Sequence, residues 1–205
     1  MALPTIARIE IQLAAGYRRS SGCVVADGYV VTAARPLAPQ GAGGDRVLGV
    51  KVWVGPWGLP VRRIAFLDNW TETLAPEANI ALLDVHWGTR LADPFEIPED
   101  WSFAGDTRNV LVRGHGGGGM LWHQECSVIH ARSEHGLDSI QSDGLRPPPE
   151  AVGGPITPVS NIGSLVGVLT EVPTPEGQQH VGVPLTTVTY GALRQQLDAF
   201  RLRNA

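Results

Sequence analysis

The sequence predicts an all-β chain closed by one C-terminal helix. Three observations carry that prediction. Apolar and polar residues alternate with a period of two in several short runs, beginning with Ala7, Ile9, Ile11 and Leu13 against Arg8, Glu10 and Gln12. Asp27-Gly28 stands between two apolar runs, a strong hairpin signal. Turn formers are dense: the chain has 25 glycines and 16 prolines in 205 residues, which suits many short strands and stays below a disordered composition.

Taken in order, residues 7–13 form a half-buried strand. Cys23–Val25 and Tyr29–Thr32 flank the Asp27-Gly28 turn. Val47–Val54 alternates again, and Ile64–Leu67 and Ile80–Val85 complete a first β unit ending near Leu91. A linker rich in Pro, Asp and Glu follows at 92–106. Asn109–Arg113, Cys126–His130, Ser139–Gln141, Ile156–Val159 and Leu165–Thr170 supply a second β unit. The helix comes last. Thr186 or Thr187 caps it, and Leu193, Leu197 and Phe200 share one face, with Arg194, Gln195, Asp198 and Arg201 on the other. Gly191 weakens its first turn. Loops 38–46 and 145–151 read as mobile. No internal repeat is visible.

Composition narrows the function. The net charge is −4 with no basic block, which argues against nucleic acid as the main partner. No apolar run approaches the roughly 18 residues of a membrane span. Met1–Ile6 shows neither a basic n-region nor an apolar h-region, so no signal peptide is expected. The only cysteines, Cys23 and Cys126, lie in different halves and read as free thiols of a reducing, cytoplasmic compartment, with a single bridge between them as the alternative. The sequon Asn69-Trp70-Thr71 carries no meaning in such a compartment.

Three segments carry the functional information. Ser21-Gly22-Cys23-Val24-Val25-Ala26-Asp27-Gly28-Tyr29-Val30-Val31-Thr32-Ala33-Ala34-Arg35 resembles the strand, turn and strand that end in Thr-Ala-Ala-His in trypsin-like (chymotrypsin-fold) serine proteases. Asn79-Ile80-Ala81-Leu82-Leu83 resembles that family's Asp-Ile-Ala-Leu-Leu. Glu150-Ala151-Val152-Gly153-Gly154-Pro155 resembles its Gly-Asp-Ser-Gly-Gly-Pro. The three occur in family order. The resemblance implies two six-stranded antiparallel β-barrels, residues 1–92 and 93–184, and a C-terminal helix over 185–203, together forming one trypsin-like domain. It also implies a degenerate member, a pseudoprotease. Arg35 stands at the histidine, Asn79 at the aspartate and Val152 at the serine.

The residue types explain why this matters. A hydroxyl nucleophile needs a base of near-neutral pKa, and the base needs an anionic orienter. Arg35 stays protonated at physiological pH. Asn79 is neutral, and Val152 has no nucleophilic atom. The resemblance places the oxyanion donors at Glu150 and Val152, so Glu150 and Ala151 form a degenerate oxyanion region. An acidic side chain there opposes a developing oxyanion. Arg35 itself is open to two readings: it fills the vestigial cleft, paired with a carboxylate such as Glu150 or Asp84, or it presents its guanidinium to an acidic group of a partner.

Other residues carry less. His115-Gly116-Gly117-Gly118-Gly119 is similar to the His-Gly-Gly-Gly loop of esterases, but the Gly-x-Ser-x-Gly elbow is absent, so it reads as a hairpin loop. His115, His123, Cys126, His130 and His135 form the only ligand-like cluster. Their spacing fits no zinc template, and no metal and no cofactor is expected. Among six tryptophans (Trp53, Trp57, Trp70, Trp87, Trp101 and Trp122), Trp57 sits in a turn and is the one expected to be exposed.

The implied function is a catalytically inactive trypsin-like domain that binds a protein or peptide partner. The resemblance makes Leu169, Thr170 and Glu171 the peptide-binding strand edge, because edge pairing uses backbone groups and needs no triad. It also points to bacterial signalling or defence as the setting. Two alternatives stand beside it. One is an active hydrolase with a relocated nucleophile at Ser142, Ser160, Ser164 or Cys126. The other is a purely structural domain of a larger assembly.

Overall fold

The computed structural model describes residues 5–38, 46–67, 78–85, 92–99, 107–132, 138–142, 144–171 and 179–203. Among the described residues, twelve strands run β1 Ile6–Leu13, β2 Gly16–Ala26, β3 Tyr29–Ala33, β4 Val47–Val54, β5 Trp57–Phe66, β6 Ile80–Val85, β7 Thr107–His115, β8 Leu121–Arg132, β9 Asp138–Ser142, β10 Pro155–Pro158, β11 Gly167–Leu169 and β12 Gln179–Pro184, followed by helix α1, Thr187–Arg203. They close into two six-stranded barrels, β1-β2-β3-β6-β5-β4 and β7-β8-β9-β12-β11-β10. Every pairing between these named strands is antiparallel, and the two barrels share one strand order although the sequence shows no repeat.

The side-chain period of two explains how the barrels join. In β6, Ala81, Leu83 and Val85 point into the first barrel, while Ile80 and Leu82 point outward into a second apolar layer. β2 and β3 divide the same way: Val24 and Val30 face inward, and Cys23, Val25 and Val31 face outward. That outer layer also contains Leu165, Val168, Val183 and Leu185 of the second barrel and Leu193 and Leu197 of α1. The interface is therefore a dry core, and burying each of these large side chains is worth roughly 1.5–3 kcal/mol. A strand buried on both faces reads as an unbroken apolar run, which is the pattern of Ile80-Ala81-Leu82-Leu83.

The structure sharpens several expectations. Ala26 pairs with Tyr29 across the Asp27-Gly28 turn, as the hairpin signal indicates. Thr186 caps α1, accepting the Thr189 N–H on its hydroxyl at 3.3 Å. Leu193 and Leu197 of α1 are buried; the Phe200 side chain lies outside the described residues. Trp57 opens β5 opposite Val54 and does not lie in the turn itself, yet its side chain is 59% exposed. β12 is absent from the strands read from sequence. The 145–151 segment is anchored and not a free loop: Leu145 is fully buried in the second barrel's core, and residues 149–151 form a 3-10 turn. Loop residues 39–45, the Asn69-Trp70-Thr71 sequon, His135, and Trp70, Trp87 and Trp101 lie outside the described residues. Among the described residues no helix is long and apolar enough to cross a membrane.

Candidate functional site

Arg35, Asn79 and Val152 come from three distant segments, and a chain of contacts across the barrel junction connects them. Arg35 begins a 3-10 turn directly after β3, and Asn79 directly precedes β6. Because β3 and β6 pair with Ala33 opposite Ile80, the two residues meet at one barrel end. The Arg35 N–H donates to Asn79 Oδ1 at 2.7 Å. The Asn79 amide then donates through Nδ2 to the Thr170 carbonyl at 3.3 Å, crossing to the second barrel. Asn79 is fully buried, so both ends of its amide are used inside the fold.

The Arg35 side chain takes the partner that sequence reasoning did not name. Its Nη1 lies 3.0 Å from Glu171 Oε1. Glu150 and Asp84, the carboxylates expected from sequence, do not hold it. Asp84 is engaged by Arg63, whose Nε donates to Asp84 Oδ2 at 2.8 Å. Glu171 Oε1 accepts no aligned hydrogen bond, so charge rather than hydrogen-bond direction holds the Arg35 contact. The pair spans the two barrels and stays wet on one side, with the Arg35 side chain 55% and the Glu171 side chain 23% exposed.

Val152 closes the 3-10 turn Pro149–Ala151. Its N–H donates back to the Pro149 carbonyl at 3.3 Å, and the Ala151 N–H to the Pro148 carbonyl at 2.9 Å. The Val152 carbonyl accepts the Ser20 hydroxyl at 2.6 Å and the Ser21 N–H at 2.8 Å. The Glu150 carbonyl accepts the Ser21 hydroxyl at 2.8 Å. First-barrel strand β2 therefore holds the whole turn in place. Gly153 then adopts φ +91°, where a Cβ would overlap the Ser21 carbonyl and the Thr32 hydroxyl. Its N–H donates to the Leu169 carbonyl at 2.6 Å, which seats the turn against β11.

Leu169, Thr170 and Glu171 line the other side. Leu169 and Thr170 are buried and Glu171 is half-buried. Their N–H groups donate to the carbonyls of Gly154, Val181 and again Val181, at 2.9, 2.8 and 3.4 Å. Inside this junction Cys23 is fully buried, and burial pushes its thiol far above the ordinary range against the opposing pull of Arg113. Cys23 and Cys126 are not joined in a disulfide.

The remaining sequence candidates are scattered. His115–Gly119 ends β7 and leads into β8, as the hairpin reading expects. Burial holds the His115 imidazole below its ordinary pKa; hydrogen bonds to the Gly119 and Ile6 carbonyls oppose the shift, and Arg8 adds to it. His123 is exposed on β8 and Cys126 is half-buried. Among the described residues, no three His, Cys, Asp or Glu side chains converge as metal ligands. Ser142 is buried and donates to the Ser127 carbonyl at 3.1 Å, Ser160 lies in an exposed turn, and Ser164 bridges to Glu96.

No family model matches the chain, and no curated protein matches it. Solved structures do. The chain is similar to a thermostable serine protease from an extremophilic microorganism, with TM-score 0.73, 12% identity, and coverage of 94% of this chain and 96% of that one. It is similar to HL collagenase, with TM-score 0.71, 20% identity and coverage of 96% and 94%. It is similar to an inactivated protease paralogue of the scabies mite, with TM-score 0.63, 18% identity and coverage of 96% and 94%. The chain has the two-barrel fold of the trypsin-like serine proteases.

Proposed function

We propose that this chain is a non-catalytic domain of the trypsin-like fold and serves as a protein- or peptide-interaction module. The observation that carries the reading is the state of Arg35, at the position that resembles the catalytic base. Its backbone is tied to Asn79 and its guanidinium to Glu171. A guanidinium takes no proton from a hydroxyl at physiological pH. Two further features support the reading. Val152 offers no nucleophilic atom, and its N–H, one of the two oxyanion donors implied by the resemblance, is spent on Pro149. One of the structures this chain is similar to is itself an inactivated protease paralogue.

The recognition surface in this reading is the half-exposed Arg35–Glu171 pair beside the barrel junction. An acidic or basic group of a partner can exchange with either member and form a charge-assisted contact. Placement in bacterial signalling or defence follows the sequence resemblance.

A peptide array probed with the wild type, Arg35→Ala and Glu171→Ala tests the proposal. Peptides bound by the wild type are expected to weaken by roughly tenfold in the variants, the scale of one charge-assisted hydrogen bond. Binding that survives both substitutions moves the interface off this cleft. Absence of any peptide binding favours a purely structural domain.

A further inference from the structure

A cavity of about 280 Å³ lies where the β7–β8 glycine loop meets the first barrel. Arg8, Arg19, His115, Gly118, Gly119 and Glu150 line it. Arg8 and Arg19 reach it from β1 and β2. Arg8 pairs in register with Ser21 and Glu10 with Arg19, so these side chains share the outer face of the barrel.

Three properties of the cavity point to one ligand chemistry. The first is charge. Among the residues lining it, two guanidiniums stand against the single Glu150 carboxylate, with Glu10 opposite Arg19 on the same barrel face outside the lining. Among the described residues neither Arg8 nor Arg19 has a carboxylate within 4.0 Å. The second is a fixed guanidinium. Arg8 lies over the Trp53 ring at 5.1 Å, a contact that holds it at the cavity wall. The third is bare backbone. Gly118 and Gly119 take φ +76° and +81°, a conformation open to glycine, and an Arg8 Nη1 lies 3.3 Å from where a Gly119 side chain would begin. The Gly116 and Gly119 N–H groups are engaged within the loop, with Met120 and Gly116, while those of Gly117 and Gly118 meet no acceptor among the described residues. Gly118 borders the cavity, and a free N–H at a left-handed residue suits an anion.

We propose that this cavity binds a phosphate-class oxyanion, with Arg8 and Arg19 as the charged donors and the Gly118 backbone N–H as the neutral one. The anion is either a free ion or the phosphoryl group of a modified side chain, since both present the same oxygens. The assignment does not depend on the reading of the Arg35 cleft.

Calorimetric titration with inorganic phosphate, at ionic strength matched with sodium chloride, tests it. The wild type, Arg19→Gln and Glu150→Gln are compared, with melting temperatures confirming that each variant is folded. Saturable phosphate binding is expected. Arg19→Gln should weaken it by about tenfold, the scale of a lost charged hydrogen bond. Glu150→Gln should tighten it several-fold, because a like charge leaves the cavity. A phosphoserine peptide and its unphosphorylated form are then titrated. A preference for the phosphopeptide over the free ion assigns the anion to a partner chain, and equal binding assigns it to the ion; either supports the site. No saturable binding of phosphate or phosphopeptide, or wild-type affinity in both variants, overturns the proposal.

Discussion

Arg35 Nη1 and Glu171 Oε1 lie 3.0 Å apart and tie the end of the first barrel to the edge of the second. The pair is partly solvent-exposed, so water screens it. A double-mutant cycle with Arg35→Ala and Glu171→Ala should give a coupling free energy of at most about 1 kcal/mol. Urea unfolding of the four proteins measures it. A coupling well above that value would make the pair a structural clamp rather than an exchangeable surface contact.

Gly153 is a much stiffer element. It holds φ +91° against the Ser21 carbonyl and the Thr32 hydroxyl. Gly153→Ala therefore combines backbone strain with a steric clash and should cost about 3 kcal/mol or more. The drop in urea midpoint measures the cost. A loss below 1 kcal/mol would mean the turn relaxes freely and does not fix Val152.

His115 gives a pH dependence of definite sign. Burial holds its folded-state pKa below the ordinary value. As pH falls through about 6.5, the unfolded chain takes up the proton first, so stability declines until the folded imidazole also titrates. The slope between pH 7 and pH 5 should be shallower in His115→Gln than in the wild type. Parallel slopes for the two proteins would contradict the assignment.

Rebuilding the three side chains should not by itself create an enzyme. The variant Arg35→His, Asn79→Asp, Val152→Ser still has the 152 N–H turned to the Pro149 carbonyl. Loss of one oxyanion donor costs roughly 100- to 1,000-fold in rate. Hydrolysis of a fluorogenic ester should remain at background. Robust turnover by the triple variant would show that the turn reopens on its own.

Much of this architecture was legible where one local pattern had one explanation. The alternation from Ala7 to Leu13 and the Asp27-Gly28 turn each specify a backbone, and the structure has both. β12 was illegible because Gly182 and Pro184 interrupt its pattern. Its glycine serves packing: a Cβ there would press on the Ile156 side chain at 2.5 Å and the Val168 carbonyl at 2.7 Å, and only assembly of the second barrel reveals that. The site divided in the same way. Arg35, Asn79 and Val152 stood out because a motif fixed their places. The partner of Arg35 did not, because Glu171 is 136 residues away and no spacing rule relates them. The cavity at Arg8 and Arg19 was equally hidden, since strand register and the β7–β8 loop create it.

The proposed lack of hydrolytic activity is checked by a fluorophosphonate titration read by intact-protein mass, run beside a casein digest. No adduct and no casein cleavage above buffer are expected at enzyme-level concentrations. A stoichiometric adduct at Ser142, Ser160, Ser164 or any other hydroxyl, with casein cleavage abolished by the same probe, would contradict it.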